Sequence, residues 1–246
     1  MGTAILRLAP GLSVFEALAR LAVVVPVGPG DALAEALALQ LASLPARAQV
    51  IVVCSSQAEV ERIGRELAAQ ARPGWTIVPA PGGRASQQNA GAALASRPWL
   101  WFLHADSVLS STALPALARL VASDAPALGY FDLQFLDDGP SLMRLTAAGA
   151  WLRSRWLQLP FGDQGLVLPR VLFERLGHFD TLLESGEDHE LVWRVRRAGV
   201  PLRPLRAPLY TSARKYVVHG WGRTTLQHLG ATWDQAWRFS RQHGAP

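Results

Sequence analysis

An ionisable pair follows a run of apolar residues, because His104 and Asp106 come directly after WLWFL at 99–103. An uninterrupted apolar run is typical of a strand buried on both faces of a parallel sheet. Ligands of such sheets bind beyond the carboxyl ends of the strands. One aspartate is enough to hold Mg²⁺ or Mn²⁺ where substrate phosphates and water complete the shell. The alternative, equally supported by spacing alone, is that Asp106 or Ser107 caps a helix starting near Ser110.

A second stretch, GGRASQQNAG at 82–91, opens a predicted helix with two glycines and Arg84. Backbone N–H groups at a helix start and a guanidinium group together suit a phosphate. Glycine-rich helix starts are common, so an ordinary turn is the default alternative.

A third stretch, ESGEDHE at 184–190, is densely acidic and precedes another predicted helix. Carboxylates at a helix start are favoured by the helix dipole, so a capped, solvated first turn is the structural interpretation. The functional interpretation makes one carboxylate a general base that deprotonates an acceptor hydroxyl. Both interpretations can hold at once, since one carboxylate can cap the helix while its neighbour faces a cleft.

The elements that must position these stretches alternate between strand and helix. Apolar runs predict strands at 21–27, 49–54 and 75–79 and a fourth at the WLWFL run; helices are predicted from about Asp31, from about Gln57 and over Arg84–Ser96. This alternation predicts a parallel sheet covered by helices on both faces.

The second half of the chain is less regular. We predict a β-rich piece at 127–135, a loop at 160–165, and helices at 141–157, 170–176 and 188–198. No repeat, linker or domain boundary is visible, so both halves are expected to share one continuous sheet.

Composition limits the function classes without selecting one. The 246 residues carry 24 basic and 19 acidic side chains, a net charge of +5 that suits an anionic ligand, a membrane surface or nucleic acid. Nucleic acid is the least favoured partner, because the arginines are spread along the chain. The single cysteine, Cys54, excludes an internal disulfide and a cysteine-cluster zinc site, and it fits a cytoplasmic location. No N-terminal stretch approaches the ~20 apolar residues that span a bilayer.

Read together, these stretches resemble family 2 glycosyltransferases of the GT-A fold, and most closely a bacterial subset associated with radical-SAM/selenobiotic-domain proteins. The resemblance runs from about Ala22 to about Trp233. It rests on VVVPV, GGRASQQNAGAAL, WFLHADS, YFDLQF, LRSRW, GDQGLVLPRVLFERLGHFD, the GED segment and TSARKYVVHG.

The resemblance implies an α/β fold in a single domain over 21–246. A Rossmann-like, mostly parallel nucleotide-binding half is expected at 21–107 and a mixed-sheet acceptor half at 108–246. Residues 1–20 form an N-terminal extension, in which a short amphipathic helix at 11–20 is expected to pack on the protein rather than contact a membrane.

The implied activity moves a sugar from a nucleotide-diphospho-sugar donor to an acceptor hydroxyl, with inversion and a divalent metal, Mg²⁺ or Mn²⁺. Asp106 matches the second acid of the Asp-x-Asp motif, which binds the metal, and His104 replaces the first acid. Arg84 matches the basic residue near the nucleotide phosphates, with Asn89 beside it. Asp188 matches the general base of inverting members.

Further residues carry expected roles in the pocket. Asp163 and Gln164 match a motif expected to line the donor-sugar and acceptor pocket, and Glu187 belongs to the same pocket. His219 lies where many GT-A enzymes supply another metal ligand, although a lone histidine is more often structural. The acceptor is expected to be a small molecule or a lipid. The sequence identifies neither it nor the oligomeric state.

Two departures weaken the expected contacts with the nucleoside base. Where members of this family usually have Pro-x-x-Asn-Glu after the first strand, this chain has PVGPGD at 26–31. Where they usually have Asp-Gly-Gly-Ser after the second strand, this chain has CSSQ from Cys54. The alternatives are therefore a nucleotidyltransferase on a similar fold, or a non-catalytic nucleotide-binding or scaffold protein. The Gln-x-x-Arg-Trp motif of polymer synthases is absent, which argues against that class.

The C-terminal segment carries Trp221, Trp233 and Trp237 among arginines. We favour an amphipathic helix that packs on the sheet. A lipid acceptor would instead use this segment and residues 11–20 as a peripheral membrane contact.

Overall fold

Eight strands form one continuous mixed sheet in a computed structural model, which describes residues 12–70, 72–183, 185–219, 221–222 and 230. The strand order is β3-β2-β1-β4-β7-β6-β8-β5. The strands are β1 (Leu21–Val27), β2 (Gln49–Cys54), β3 (Trp75–Pro79), β4 (Trp99–Phe102), β5 (Val108–Leu109), β6 (Leu128–Phe135), β7 (Val167–Pro169) and β8 (Leu202–Thr211). The expectation of one sheet shared by both halves is confirmed.

The first half is parallel, as predicted from its uninterrupted apolar runs. Strand β1 pairs in parallel with β2 and with β4, and β2 pairs in parallel with β3. All seven residues of β1 are buried, because helices cover both faces of this part of the sheet.

The second half is mixed. Strand β7 pairs antiparallel with β4 and with β6, whereas β6 and β8 run parallel, with an irregularity between Tyr130 and Asp132. The short strand β5, which the sequence does not predict, pairs antiparallel with β8. The antiparallel strand β7 therefore joins the two halves.

The described helices are α1 (Val14–Leu18), α2 (Glu35–Ala42), α3 (Gln57–Glu66), α4 (Gly83–Leu94), α5 (Ala113–Ser123), α6 (Met143–Trp156), α7 (Arg170–Arg175), α8 (Glu187–Arg197) and α9 (Arg214–His219). All described helices except α9 lie at or near predicted positions, and two of them, α2 and α5, begin later than predicted. Helix α2 begins at Glu35 rather than near Asp31, because the Asp31 N–H donates to the Gly28 carbonyl and forms a turn. Helix α5 begins at Ala113 rather than near Ser110, because the Ala113 N–H donates to the Ser110 carbonyl and closes a turn over residues 110–113. Among the described helices, none has the length and apolar character needed to cross a membrane.

Helix α1 packs as part of the domain. Ala17 and Leu18 are buried, and Arg20 forms an ion pair with Asp124 at the end of α5, 2.8 Å apart. This agrees with packing of the 11–20 segment on the protein. Residues 1–11 and most of the C-terminal segment, including Trp233 and Trp237, lie outside the described residues.

Candidate active site

Gly162 lies where two of the predicted site residues meet. It begins a single 3-10 turn, Gly162–Gln164, and its backbone N–H donates to Oδ2 of Asp188. A Cβ atom at this position would lie 2.8 Å from Oδ2 of Asp188 and 3.3 Å from Nε2 of His104. Only a glycine leaves room for both side chains, so the end of β4 and the start of α8 come together here.

Asp106 lies just beyond β4 and is held from the other half of the sheet. The Thr211 hydroxyl, at the end of β8, donates to its Oδ2 atom at 2.7 Å. Asp106 does not cap a helix: Thr112 is the N-cap residue of α5, and no side chain accepts a hydrogen bond there. The capping interpretation is therefore wrong, because six residues, including β5, separate Asp106 from that helix.

His104 is arranged as a neutral imidazole. Its Nε2 atom is buried and has no hydrogen-bond partner among the described residues. Burial, together with the charge of Arg84, lowers the pKa of His104, against the opposing charges of Asp163, Asp106 and Asp188. A ring that carries an unpartnered nitrogen beside three carboxylates is suited to accept a bond from a ligand group.

Helix α8 begins without a side-chain cap. Its N-cap residue is Gly186, which has a φ of +85°, and three acidic residues lie in its first turn. Glu190 pairs with Arg194, at 2.6 Å. The predicted capped turn is therefore only partly present. The acidic residues interact favourably with the positive end of the helix dipole, but no side chain accepts a hydrogen bond from the first backbone N–H groups.

The carboxylates of the EDHE turn have different surroundings. Glu187 is 4% exposed, and burial, followed by the charge of Asp188, raises its pKa. Asp188 is half-buried; its Oδ1 atom accepts the His189 N–H at 2.8 Å, and its Oδ2 atom accepts the Gly162 N–H. Neighbouring carboxyl groups with contrasting environments are a pattern of acid–base sites.

Arg84 lies at the start of α4, which also lacks a side-chain cap, because Gly82 is its N-cap residue with a φ of +97°. The guanidinium Nε atom is 3.9 Å from Oε1 of Glu187, and the side chain is 53% exposed. A mostly exposed arginine next to uncapped backbone N–H groups leaves donors available for an anionic group.

Two of the predicted binding residues use their amide groups to hold the protein together. Both ends of the Asn89 amide bind the backbone of Phe179, at 2.9 and 3.0 Å. Gln164 is fully buried, donates to the Phe131 carbonyl at 2.9 Å and accepts from the Phe161 N–H at 3.2 Å. These contacts position the 3-10 turn and the loop before α8, so both residues act on the site through the backbone.

Arg153 is a site residue that the sequence reasoning missed. Its guanidinium carbon lies 3.4 Å from the ring centroid of Phe161, and its Nη2 atom donates to Gln164 at 3.3 Å. Burial lowers the pKa of Arg153, whereas the charges of Asp163 and Asp188 raise it. Arg153 belongs to the LRSRW segment at 152–156. Its position in α6 does not indicate, from sequence alone, that it contacts the 3-10 turn.

Asp163 and Tyr216 complete that side of the site. Oδ1 of Asp163 is buried and has no hydrogen-bond partner in the described part of the chain. Burial, followed by the charge of Asp163, raises the pKa of Tyr216 to about 12, so the phenol stays protonated. Tyr216 lies in α9, close to the expected His219; that residue's side chain is outside the described residues.

The carboxyl ends of β1 and β2 lie next to each other, and buried and paired side chains surround them. Cys54 is fully buried, and burial raises the pKa of its thiol to about 11. Arg62 donates to the Asp31 carbonyl and pairs with Glu59. Arg62 thus ties the loop at 28–31 to α3.

The donor set fits a divalent cation that is held mainly by its substrate. No group of three or more His, Cys, Asp or Glu side chains within the described ranges is arranged to hold a metal. Asp106 offers one carboxylate, and its charge acts on the ring of His104, whose Nε2 has no hydrogen-bond partner among the described residues. Mg²⁺ and Mn²⁺ sites with one or two protein ligands, completed by phosphate and water, have this composition.

Comparison with known proteins identifies the fold. No family model matches the sequence, and no curated protein matches it. A mannosyltransferase, PcManGT from Pyrobaculum calidifontis, solved with GDP-Man and Mn²⁺, aligns with a TM-score of 0.65 at 21% identity, over 89% of this chain and 64% of that one. The chain has the GT-A fold.

S. aureus TarS agrees with this assignment. TarS aligns with a TM-score of 0.58 at 14% identity, over 78% of this chain and 36% of its own. Its fragment 1–349, in complex with UDP-GlcNAc, aligns with a TM-score of 0.55 at 14% identity, over 78% of this chain and 58% of that one. The chain spans between about a third and two thirds of the length of these structures.

Proposed function

We propose that the protein transfers a sugar from a nucleotide-diphospho-sugar to an acceptor hydroxyl, with inversion and with a divalent cation. The observation that carries the proposal is the meeting of Asp188, His104 and Gly162 at one point, with Arg84 beside Glu187. Carboxylates on one side and a basic, uncapped helix start on the other are what such a transfer requires. The structural neighbours solved with GDP-Man and with UDP-GlcNAc support a nucleotide-sugar as the donor class.

Asp188 is the general base in this proposal. Its carboxylate takes the proton of the acceptor hydroxyl as that oxygen bonds to the anomeric carbon of the sugar. The bond from the anomeric carbon to the diphosphate oxygen breaks, and its electron pair leaves with the nucleoside diphosphate. The backbone N–H groups of Gly162 and His189 hold the carboxylate in position, which lowers the cost of ordering it during the reaction.

Arg84 and Asp106 act on the leaving group. The guanidinium of Arg84 and the backbone N–H groups at the start of α4 bind the diphosphate. Asp106, oriented by Thr211, would hold the cation, with His104 and His219 as further candidate ligands. A bound divalent cation supplies neutralisation of the negative charge that develops on the diphosphate.

Asp163 and Glu187 are proposed to line the pocket for the donor sugar and the acceptor. Oδ1 of Asp163 and Oε1 of Glu187 are buried and accept no hydrogen bond from any described residue, which supports this role because such acceptors are suited to sugar hydroxyls. Asn89 and Gln164 position these segments through their backbone contacts.

The first test is a thermal-shift panel of UDP, GDP, CDP, TDP and ADP, with and without Mn²⁺. A ligand that binds only the native state raises Tm, by an amount set by its concentration relative to Kd. We expect one nucleotide to raise Tm in the presence of Mn²⁺, and Asp106→Ala to lose that shift. Absence of any shift would favour the non-catalytic scaffold.

The second test separates the base from the binding residues. With the donor from the first test, Asp188→Asn is expected to retain the Tm shift and to lose sugar transfer, whereas Asp124→Asn, remote on α5, behaves as wild type. Transfer by Asp188→Asn at the wild-type rate contradicts the assignment of the base. Release of pyrophosphate without transfer of sugar would instead support the nucleotidyltransferase.

A further inference from the structure

Arg153 contacts the chain on both sides of Gly162. Its Nε atom donates to the Leu159 carbonyl at 3.0 Å, its guanidinium lies over the ring of Phe161, and its Nη2 atom donates to Oε1 of Gln164 at 3.3 Å. A planar guanidinium can stack on a ring and donate hydrogen bonds within its own plane at the same time. One side chain therefore holds the segment that carries Gly162 at three places.

The ring of Phe161 continues this contact to helix α8. It packs against the ring of His189, with the two centroids 4.9 Å apart. His189 is fully buried, and its Nε2 atom accepts the Trp193 Nε1–H at 3.1 Å, which fixes the orientation of the ring. Arg153, Phe161 and His189 thus form a continuous series of contacts from α6 to α8, which we call the Arg153 stack.

The Arg153 stack ends beside both groups that bind the Asp188 carboxylate. Oδ2 of Asp188 accepts the N–H of Gly162, the residue after Phe161, and Oδ1 accepts the N–H of His189. The Arg153 guanidinium is also close enough to Asp188 for the charge of that carboxylate to act on it. The position of this carboxylate therefore depends on two residues next to each other in space that the stack holds together.

Helix α6 gives Arg153 a fixed starting point. The Tyr130 hydroxyl, on β6, donates to the Ser154 carbonyl at 2.9 Å. Arg155 pairs with Asp132, also on β6, at 2.6 Å. Because the two residues after Arg153 are bound to the sheet, the backbone of Arg153 is fixed relative to the sheet as well.

We propose that Arg153 is a positioning residue for Asp188. This role rests on the proposed function, because it requires Asp188 to be the general base. Arg153 forms no hydrogen bond or ion pair with Asp188 within the described residues, so it acts through Phe161 and the 3-10 turn. It keeps the Gly162 N–H on Oδ2, and a carboxylate that is oriented in advance does not have to be ordered during the reaction.

The first test needs no ligand and follows deuterium exchange of the Gly162 N–H by NMR in the full chain. Arg153→Met keeps a long unbranched side chain and removes the stacked cation and its donors. We expect exchange at least roughly tenfold faster, because the hydrogen bond to Asp188 opens more often. The matched control is Arg144→Met on the same helix, where the arginine is exposed; its exchange should lie within about twofold of wild type.

The second test measures release of UDP from UDP-GlcNAc and of GDP from GDP-Man, with Mn²⁺ and with water as the acceptor. We expect Arg153→Met to lower kcat at least roughly tenfold and to leave KM for the nucleotide-sugar within about twofold, since the base is displaced and the donor site is not. If Arg153→Met does not fold, Phe161→Leu replaces it in both tests, because this variant removes the ring of the stack.

A double-mutant cycle tests whether Arg153 acts through Phe161. Phe161→Leu alone should lower kcat about as much as Arg153→Met, and the double variant should lie within about twofold of the slower single variant. Fold-changes that multiply in the double variant overturn the proposal, because they show independent effects.

Three other results also overturn the proposal. Unchanged exchange of the Gly162 N–H in Arg153→Met shows that the stack does not hold the turn. Faster exchange with unchanged kcat shows a contact that serves stability alone. A higher KM with unchanged kcat shows that Arg153 binds the nucleotide-sugar directly.

Failure of the proposed function gives a different pattern. If wild type releases neither UDP nor GDP while the exchange of the Gly162 N–H responds as expected, glycosyl transfer from these donors is refuted and the hold of Arg153 on the Asp188 carboxylate stands. If wild type releases a nucleoside diphosphate and Arg153→Met matches it in kcat and in exchange, the positioning role alone is refuted.

Discussion

Replacing Gly162 by alanine tests whether the missing side chain at this position allows Asp188 and His104 to lie close together. The added Cβ would lie 2.8 Å from Oδ2 of Asp188, whereas ordinary contact begins at 3.4 Å. The carboxylate therefore has to move by roughly 0.6 Å. That oxygen cannot rotate away at no cost, because the Gly162 N–H and the His189 N–H hold the two carboxylate oxygens.

The expected effects follow from this displacement. Productive geometry must be kept to within about 0.5 Å, and a misplacement of about 1 Å costs roughly 100-fold in rate, so Gly162→Ala should lose about 10- to 100-fold in kcat. The strained contact and the weakened hydrogen bond should lower the free energy of unfolding by about 1–2 kcal/mol. Unfolding in urea and turnover of the identified donor measure the two effects separately.

Gly64→Ala is the matched control, because a Cβ at Gly64, inside α3, meets nothing within 4 Å. It should raise the free energy of unfolding by about 0.5–1 kcal/mol, since alanine favours a helix, and leave turnover unchanged. If Gly162→Ala is as stable as wild type and turns over within twofold of it, while Gly64→Ala behaves as expected, the reasoning about this contact is refuted.

Two stability predictions concern Glu187 and Gly91. The raised pKa of Glu187 means that the folded state holds its proton above pH 4.5, so wild-type stability falls as pH rises through the window between 4.5 and the raised pKa. Glu187→Gln should therefore be more stable than wild type at pH 7, and urea unfolding should show this difference vanish below pH 4.5. A difference in the free energy of unfolding that does not change with pH contradicts this, as does an equal difference for the exposed control Glu61→Gln. Gly91→Ala would place a Cβ 2.4 Å from Cγ1 of Val24, and should lose roughly 2–3 kcal/mol. Thermal and urea unfolding check this against Gly149→Ala, whose Cβ meets nothing within 4 Å; similar stabilities would show that the core relaxes around Gly91.

The parallel half could be predicted because its information is local. The WLWFL run predicted β4, and therefore the place of Asp106 beyond a strand end. Likewise the Gly82–Arg84 start of α4 and the acidic start of α8 were visible as short strings. Each of these features rests on the period and composition of adjacent residues.

The roles of the amides and of Arg153 could not be predicted in the same way. Asn89 binds the backbone of Phe179, 90 residues further along the chain, and Gln164 binds Phe131, 33 residues before it. Their side chains suggested polar binding residues, but a sequence does not show that their hydrogen bonds are already used within the protein. The same holds for Thr211, which reaches Asp106 across 105 residues.

The sequence by itself therefore determined the order of strands and helices in the first half and the segments that carry ionisable groups, because hydrophobic periodicity and helix-start residues act over a few positions. Only the tertiary structure decided which of those groups share a cleft. Sheet pairing across β7 brings the end of β4 to the 3-10 turn, and Gly162 then sets the distance between His104 and Asp188. Which carboxylate is buried, exposed or paired depends on such long-range packing, so Glu187, Asp188 and Glu190 differ although they are near neighbours in the chain.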